Sequence, residues 1–197
     1  SANASGATVR QTEVGSGFTA PSIAGDIRFG SGSDLLEVAD GTVKGNVAFG
    51  AGANRLALSG DAVQTGNVAF GAGSDTLTLA GSSVLGGNVD FGGGADLLTL
   101  AGTSRFSGRL SNAGGLAVNV SGGTLDLTGP IAINSLTVGA AGTLNATLDK
   151  AAGAGTFYDI AGTASFASGA TLALSLADVT NAEGRYTILQ AGTLEGA

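Results

Sequence analysis

The sequence predicts an all-β protein, folded as a right-handed parallel β-helix, and three observations lead to that prediction. A pattern of about 21 residues occurs in four consecutive copies, which begin at Gly25, Gly45, Gly66 and Gly87. Within each copy the apolar residues alternate over short stretches, which is the period of a β-strand. The chain has 36 glycines but only 2 prolines, and 43% of its residues are hydrophobic. A fixed period of this length is typical of stacked, near-identical structural units.

Each copy predicts one coil of three short strands separated by turns. The first strand carries an aliphatic residue and then a phenylalanine on the same face, and a Gly-x-Gly turn follows. Successive coils of a parallel stack lie about 4.8 Å apart, so equivalent residues form internal columns. The predicted columns are Phe29, Phe49, Phe70 and Phe91 in the first strand, Leu36/Val38, Leu56/Leu58, Leu77/Leu79 and Leu98/Leu100 in the second, and Val43, Val63 and Val84 in the third, with Phe106 one residue later in the fourth copy.

The whole chain is predicted to be one continuous solenoid of roughly eight or nine coils. Residues 1–128 form the β-helix coils, with the regular repeats at 25–107, and residues 129–197 form the C-terminal coils and a β-rich cap. A terminal unit of this kind is needed because an open end exposes unpaired backbone and core. The imperfect first coil is built around Val9, Val14, Phe18 and Ile23. The predicted core after Gly108 consists of Leu116, Val118, Val120, Leu125, Leu127, Ile131, Ile133, Leu136, Val138, Leu144 and Leu148.

The composition excludes several function classes. The net charge is −7 with only 8 basic residues, so no basic patch is present to bind nucleic acid. The chain has no cysteine and no histidine, which excludes disulfides, thiolate metal sites and histidine-dependent triads. It also has no apolar run long enough to span a membrane as a helix. We therefore expect no enzyme activity, no catalytic residue and no cofactor.

Two sets of polar residues recur at the turns. Asp26, Asn46, Asn67 and Asn88 follow the opening glycines and predict a ladder at one corner of the stack. These residues also fit the plain turn preference of Asn and Asp, and the two interpretations are compatible.

The Gly-x-Gly-x-Asp-x-Leu pattern predicts a candidate calcium site at Asp34, Asp75 and Asp96. It is close to the calcium-binding nonapeptide of RTX β-rolls, in which carboxylates and turn carbonyls of adjacent coils share an ion. Asn54 replaces the Asp in the second copy, and the motif occurs only once per repeat. The alternative is that each Asp accepts hydrogen bonds from backbone N–H groups, and the residues leave both interpretations open.

Two further hypotheses concern the outer surface. Paired-carboxylate chemistry would need Asp34/Asp40 or Asp90/Asp96, as in carbohydrate-active β-helices, but the arginines (Arg28, Arg55, Arg105 and Arg109) do not recur at one position. Leu35 and Leu97 are predicted to point outward from the second strand as a lateral docking surface. Scattered exposed leucines are also normal on a protein surface.

The repeat FGAGSDTLTLAG, the intermediate SLTVGAAGTLNATL and the ending GRYTILQAGTLEG resemble the C-terminal part of an autotransporter passenger of the pertactin-like β-helix type. The ending resembles a stretch in which such passengers commonly end, and the matching positions are Tyr186, Ile188, Leu189, Ala191 and Gly192. The resemblance implies that residues from about 129 to 197 are an autochaperone-like segment that folds first and serves as the template for the other coils. No protease or adhesion motif of the better-known members is present.

The resemblance also implies a function and a location. The chain would be a structural, surface-exposed stalk, exported through the outer membrane of a Gram-negative bacterium, that presents a distal region. Its own C-terminal outer-membrane β-barrel would be its first partner, and homo-association or a cell-surface partner in adhesion would be the second. The alternatives are a calcium-dependent RTX-like β-roll module and a carbohydrate-active β-helix.

Overall fold

The computed structural model describes residues 4–12, 14–15, 17–148, 157–176 and 186–196. In these residues the protein is all-β, without helices, and its parallel strands form a strongly curled sheet. Every strand pair in the described residues is parallel. The predictions of an all-β class and of parallel stacking are therefore confirmed.

The strands of the N-terminal two thirds form three rows, in which each repeat contributes one strand to each row. Row A consists of β1 (Thr8–Gln11), β4 (Leu35–Val38), β7 (Arg55–Leu58), β10 (Thr76–Leu79) and β13 (Leu97–Leu100). Row B consists of β2 (Ser22–Ala24), β5 (Thr42–Lys44), β8 (Val63–Thr65), β11 (Val84–Gly86) and β14 (Arg105–Gly108). Row C consists of β3 (Ile27–Arg28), β6 (Val47–Ala48), β9 (Val68–Ala69), β12 (Val89–Asp90) and β15 (Leu110–Ser111).

Longer strands replace this three-row pattern in the C-terminal part. They are β16 (Ala117–Leu127), β17 (Ile131–Ile133), β18 (Ser135–Leu148), β19 (Tyr158–Phe166), β20 (Thr171–Leu176) and β21 (Leu189–Gly196). The first half of β16 pairs with row A and its second half with row B, so this one strand joins the two rows into a single sheet. Row C forms a separate five-stranded sheet.

One column of row A runs through nine stacked levels of the structure. Its members, each paired with the next, are Val9, Leu36, Leu56, Leu77, Leu98, Val118, Leu136, Ala164 and Leu194. The paired residues in the regular repeats are 20 or 21 positions apart, as the sequence period requires. The predicted leucine column is therefore confirmed, and it is buried from Leu36 to Ala164.

The predicted phenylalanine column is also confirmed. Phe29, Phe49, Phe70 and Phe91 stack face to face, with ring centroids 5.0, 4.9 and 5.5 Å apart and planes within 7 to 15° of parallel. Stacked aromatic pairs contribute about 0.5–1.5 kcal/mol each beyond the area they bury. Phe29 is only partly buried because it lies at the end of the column.

The predicted valine column of row B is wrong at two of its positions. Val43 pairs with Gln64, and Leu85 pairs with Phe106, so these four residues form the inward column. Val63 and Val84 instead lie one residue out of this column and are only partly buried. The first copy is 20 residues long and the second 21, and this single extra residue moves Gln64 into the core position.

Phe18 does not belong to the core of the first repeat, contrary to the prediction. Its side chain is 78% exposed, whereas Val9 and Ile23 pack partly against the core as expected. Val14 is partly buried but is not part of that packing.

The opening glycines of the second, third and fourth repeats are required by the close approach of the repeat beneath them. At Gly66 φ is +125°, and a Cβ added there would collide with the carbonyl oxygen of Gly45. The same collision recurs between Gly87 and Gly66. A side chain at this corner would therefore separate the two backbones.

The C-terminal strands continue the parallel stack with longer repeats. Ile131 pairs with Tyr158, 27 residues later, and Tyr158 pairs with Leu189, 31 residues later. The predicted core residues from Leu116 to Leu148 are all buried. Within the described residues β20 pairs only with β18, and its leucines Leu172, Leu174 and Leu176 are exposed. Parts of the predicted cap, residues 149–156 and 177–185, lie outside the described residues, so closure of the core by a cap stays a prediction.

Replacing a stacked phenylalanine should destabilise the protein far more than replacing an exposed one. Phe49→Ala removes a fully buried ring between two neighbours and should lower the free energy of unfolding by about 3–5 kcal/mol. Phe18→Ala is the matched control and should change it by less than about 0.5 kcal/mol. Denaturant unfolding followed by circular dichroism measures both, and equal losses would contradict the stacked core.

Candidate functional site: a buried Asp/Asn column

The strongest concentration of buried polar groups lies just before the strands of row A. Asp34, Asn54, Asp75 and Asp96 each end a Gly-rich turn and stack in register, since the residues that follow them are paired. Their exposed fractions are 2, 2, 1 and 3%. Three acidic side chains are therefore held in the interior of an acidic protein, an arrangement that is rare unless such groups are paired.

One oxygen of each side chain is used to hold the preceding repeat. Oδ1 of Asp75 accepts the backbone N–H of Asn54 at 2.7 Å, and Oδ1 of Asp96 accepts that of Asp75 at 2.9 Å. The series continues toward the N-terminus: Oδ1 of Asn54 accepts the N–H of Asp34 at 2.9 Å, and Oδ1 of Asp34 accepts that of Ala7 at 2.6 Å. The side chains thus satisfy backbone donors that the turns leave unpaired.

The second polar atom of each side chain distinguishes Asn54 from the three acids. Nδ2 of Asn54 donates to the carbonyl oxygens of Gly52 at 3.0 Å and Gly50 at 3.4 Å in its own turn. Oδ2 of Asp34, Asp75 and Asp96 is buried and has no hydrogen-bond partner among the described residues. An amide donates at this point of the turn, whereas an ionised carboxylate has nothing to donate.

Burial changes the acidity of the two adjacent acids. Removal from water raises the pKa of Asp75 above its ordinary value, and the charge of Asp96 adds to that rise. Burial likewise raises the pKa of Asp96. The hydrogen bonds from the backbone N–H groups of Asn54 and Asp75 act in the opposite direction but are outweighed.

A second, exposed column is formed by Asp26, Asn46, Asn67 and Asn88, as predicted, but its bonds to the next repeat come mainly from backbone N–H groups rather than from side-chain amides. Here each side-chain oxygen accepts the backbone N–H of the following repeat, at 2.9 to 3.1 Å, and Arg109 donates the last of these bonds. The N–H of Asn46 thereby lowers the pKa of Asp26, and the nearby Arg28 guanidinium lowers it further. This exposed column holds the repeat after it, whereas the buried column holds the repeat before it.

The structure bears on the calcium hypothesis only through geometry. The three predicted ligands do lie in one column, but Asn54 separates Asp34 from the other two. Their Oδ1 atoms accept backbone N–H groups, which is the alternative that the sequence left open. The described residues contain no group of three or more His, Cys, Asp or Glu side chains placed to hold a metal ion. Calcium binding stays a prediction.

The carboxylate pairs considered for catalysis have separate roles in the structure. Asp34 and Asp40 flank β4 at opposite ends, and Oδ2 of Asp40 accepts the N–H of Val14 at 3.3 Å. Oδ1 of Asp90 accepts the N–H of Gly92 at 2.9 Å and Nδ2 of Asn112 at 2.8 Å. Among the arginines, Arg28 lies 3.7 Å from Asp26, and Arg105 forms an ion pair with Asp126.

The two leucines predicted as a docking surface are not adjacent. Both lie in the outward column of row A, but Arg55 and Thr76 stand between Leu35 and Leu97. Leu97 is 40% exposed, and Leu35 is only partly exposed. The structure therefore does not bring them together into one patch.

Sequence reasoning missed the buried amide of Gln64. Its side chain is fully buried, its Nε2 donates to the carbonyl oxygen of Gly45 at 2.8 Å, and its Oε1 has no hydrogen-bond partner among the described residues. The signal that would have found it is the one-residue difference between the first two copies of the repeat.

No family model, curated protein or solved structure matches this chain. The described residues contain no helix with the length and apolar character needed to cross a membrane.

A charge introduced into the buried column should lower the free energy of unfolding, whereas a charge introduced into the exposed column should leave it almost unchanged. Asn54→Asp places a carboxylate against two carbonyl oxygens and next to Asp75, so we expect a loss of about 1–3 kcal/mol in the free energy of unfolding at neutral pH. The loss should shrink in acid, where the new group is protonated. Asn67→Asp, at an exposed corner, should stay within about 0.5 kcal/mol of the native protein. Urea titrations at two pH values measure both, and equal effects would contradict the assignment of the two columns.

Proposed function

We propose that this chain is a structural stalk, a right-handed parallel β-helix from the surface-exposed passenger of a bacterial autotransporter. The observation that carries the proposal is the nine-level column of row A, which runs from Val9 to Leu194 with parallel register throughout. At about 4.8 Å per level, it extends over roughly 38 Å. A stack of this kind is suited to hold one end away from the other.

The polar groups of the stack support a structural role. Both polar columns accept backbone N–H groups of a neighbouring repeat, so these side chains are engaged in joining one level to the next. Since each level is stabilised mainly by its neighbours, unfolding should be cooperative along the rod.

The C-terminal part has the features expected of a folding nucleus. β16 and β18 are 11 and 14 residues long, and they pair with each other along most of their length. Tyr158 is fully buried, and its hydroxyl donates to the carbonyl oxygen of Asn145 at 2.9 Å, which ties β19 to β18. Longer strands form more pairing contacts per repeat, so this segment can form before the short-stranded repeats do.

The ending that resembles autotransporter passengers belongs to this C-terminal part. Tyr186, Ile188, Leu189 and Ala191 pack partly against the core, and Leu189 starts the pairing of β21 with β19. In the proposed setting, the chain is exported with its own C-terminal outer-membrane β-barrel as partner. It then stands on the outside of a Gram-negative cell, where it takes part in adhesion or self-association. The absence of cysteine fits a chain that crosses the periplasm unfolded.

If the C-terminal segment folds first, a core deletion there should slow folding, and the same deletion elsewhere should not. Leu144→Ala in β18 and Leu36→Ala in β4 both truncate fully buried leucines and should each cost about 2–5 kcal/mol. We expect Leu144→Ala to reduce the folding rate and Leu36→Ala mainly to raise the unfolding rate. Stopped-flow refolding measures both rates, and the reverse pattern would contradict nucleation at the C-terminal end.

Export tests the passenger role directly. The chain, placed between a secretory leader and an autotransporter barrel in a Gram-negative host, should reach the cell surface, where added protease removes it. Leu144→Asp should reduce its surface level more than Leu36→Asp, because the former disrupts the segment proposed to fold first outside the cell. Retention of the native chain in the periplasm, or equal effects of the two variants, would overturn the proposal.

A further inference from the structure

The repeat at Asn54 shows how the buried corner of its turn is satisfied. Its Oδ1 accepts a backbone N–H, and its Nδ2 donates to the carbonyl oxygens of Gly50 and Gly52. The corner thus demands one acceptor and one donor from the same side chain. An amide supplies both, and so does a protonated carboxylic acid, whereas an ionised carboxylate supplies only acceptors.

Asp75 and Asp96 occupy the same corner in the next two repeats. The Oδ1 atom of each accepts a backbone N–H, and the Oδ2 atom of each is buried with no hydrogen-bond partner in the part of the chain that the structure describes. The carbonyls that correspond to Gly50 and Gly52 belong to Gly71 and Gly73 in the first case, and to Gly92 and Gly94 in the second. With both side chains ionised, two stacked charges would be buried with half of their acceptors unsatisfied, which is strongly unfavourable.

We propose that Asp75 and Asp96 are proton-binding sites, whose Oδ2–H groups donate to the turn carbonyls of their own repeats as the amide of Asn54 does. Folding therefore takes up protons at these two positions. The contribution of the pair to the free energy of unfolding is therefore largest in acid, and it decreases as the pH rises and the two acids lose their protons.

The charges around the pair set the direction of this effect. Asp75 lies between the neutral Asn54 and Asp96, and Asp96 lies between Asp75 and the position of the buried Leu116, so no basic group faces the pair within the column. Burial raises the pKa of both acids. A raised pKa in the folded state gives stability that is present in full below the ordinary value of about 3.9 and is lost as the pH rises through the raised value. Asp26 acts in the opposite sense, since its lowered pKa contributes stability that is lost as the pH falls.

A proton fits this corner better than a metal ion does. Calcium takes 6–8 oxygen ligands at 2.3–2.6 Å. Here the Oδ1 atoms are already bonded to N–H groups at 2.7 and 2.9 Å, and the Oδ2 atoms are enclosed. Calcium is therefore the competing occupant for the experiment to exclude.

The test compares the native chain with Asp75→Asn, Asp96→Asn and the double variant between pH 4 and pH 8. Asparagine supplies the donor permanently, so at pH 7 the unfolding equilibrium constant should fall by about tenfold for each unit by which burial raises the pKa. At pH 4 the variants and the native chain should be nearly equally stable, so the pH dependence should flatten. Asp61→Asn, at an exposed corner, is the control and should leave the pH dependence unchanged.

Two further measurements make the outcome decisive. In infrared spectra of the folded native chain, recorded from pH 4 upward, the C=O stretch of a protonated carboxyl group should persist to a higher pH than in the double variant. Melting curves with calcium and with chelator should coincide. A calcium-dependent rise in Tm that the double variant abolishes, or an Asp75→Asn variant that is less stable than the native chain at pH 7, would overturn the proposal.

Discussion

Everything in this structure depends on the parallel pairing of each repeat with the next, which places equivalent residues directly above one another. For apolar side chains this is favourable, because each phenylalanine or leucine packs on the equivalent side chain of the next repeat, one strand spacing away. The phenylalanine stack, with centroids about 5 Å apart, is the clearest result. For charged side chains the same stacking is destabilising, because it places like charges next to each other. The chain is acidic overall, yet it carries only two adjacent acids in its buried column, Asp75 and Asp96.

Both polar columns satisfy backbone N–H groups of a neighbouring repeat, but they do so in opposite directions along the stack. Turns between short strands leave backbone N–H groups without partners, and buried N–H groups must be satisfied. The buried column accepts N–H groups from the repeat before it, and the exposed column accepts N–H groups from the repeat after it. Each regular repeat is therefore joined in both directions by side chains as well as by strand pairing. The glycines that open the repeats allow the backbones to come close enough for these bonds to form.

The change in repeat length along the chain divides the stack into two regimes. The regular repeats use three short strands per level, with row C strands of only two residues, so each level has many corners and few paired residues. In β16 and β18 the corner between rows A and B is replaced by continuous strand with a shift in register near Val120. Pairing is then more extensive per level, which supports the proposal that folding starts in the C-terminal part.

The sequence by itself determined the class, the period and most of the core. The leucine and phenylalanine columns could be predicted from the alternation of apolar residues and its repetition. Strand periodicity is a local property, and every copy of the repeat places its apolar residues on the same face. The exposed Asn ladder followed for the same reason. Val63, Val84 and Phe18 were misplaced, since a one-residue difference in repeat length, or an imperfect terminal repeat, changes which face is buried without changing the pattern of residue types.

Only the tertiary structure decided the chemistry of the Gly-rich turns. The sequence shows an Asp after each of three turns, but it does not show whether water reaches that side chain or which backbone groups face it. Those facts arise from the repeat stacked on each side, which removes the carboxyl group from solvent and supplies the N–H that Oδ1 accepts. Burial and hydrogen-bond partners are properties of the stack rather than of one repeat, and they determine whether a carboxyl group holds a charge or a proton.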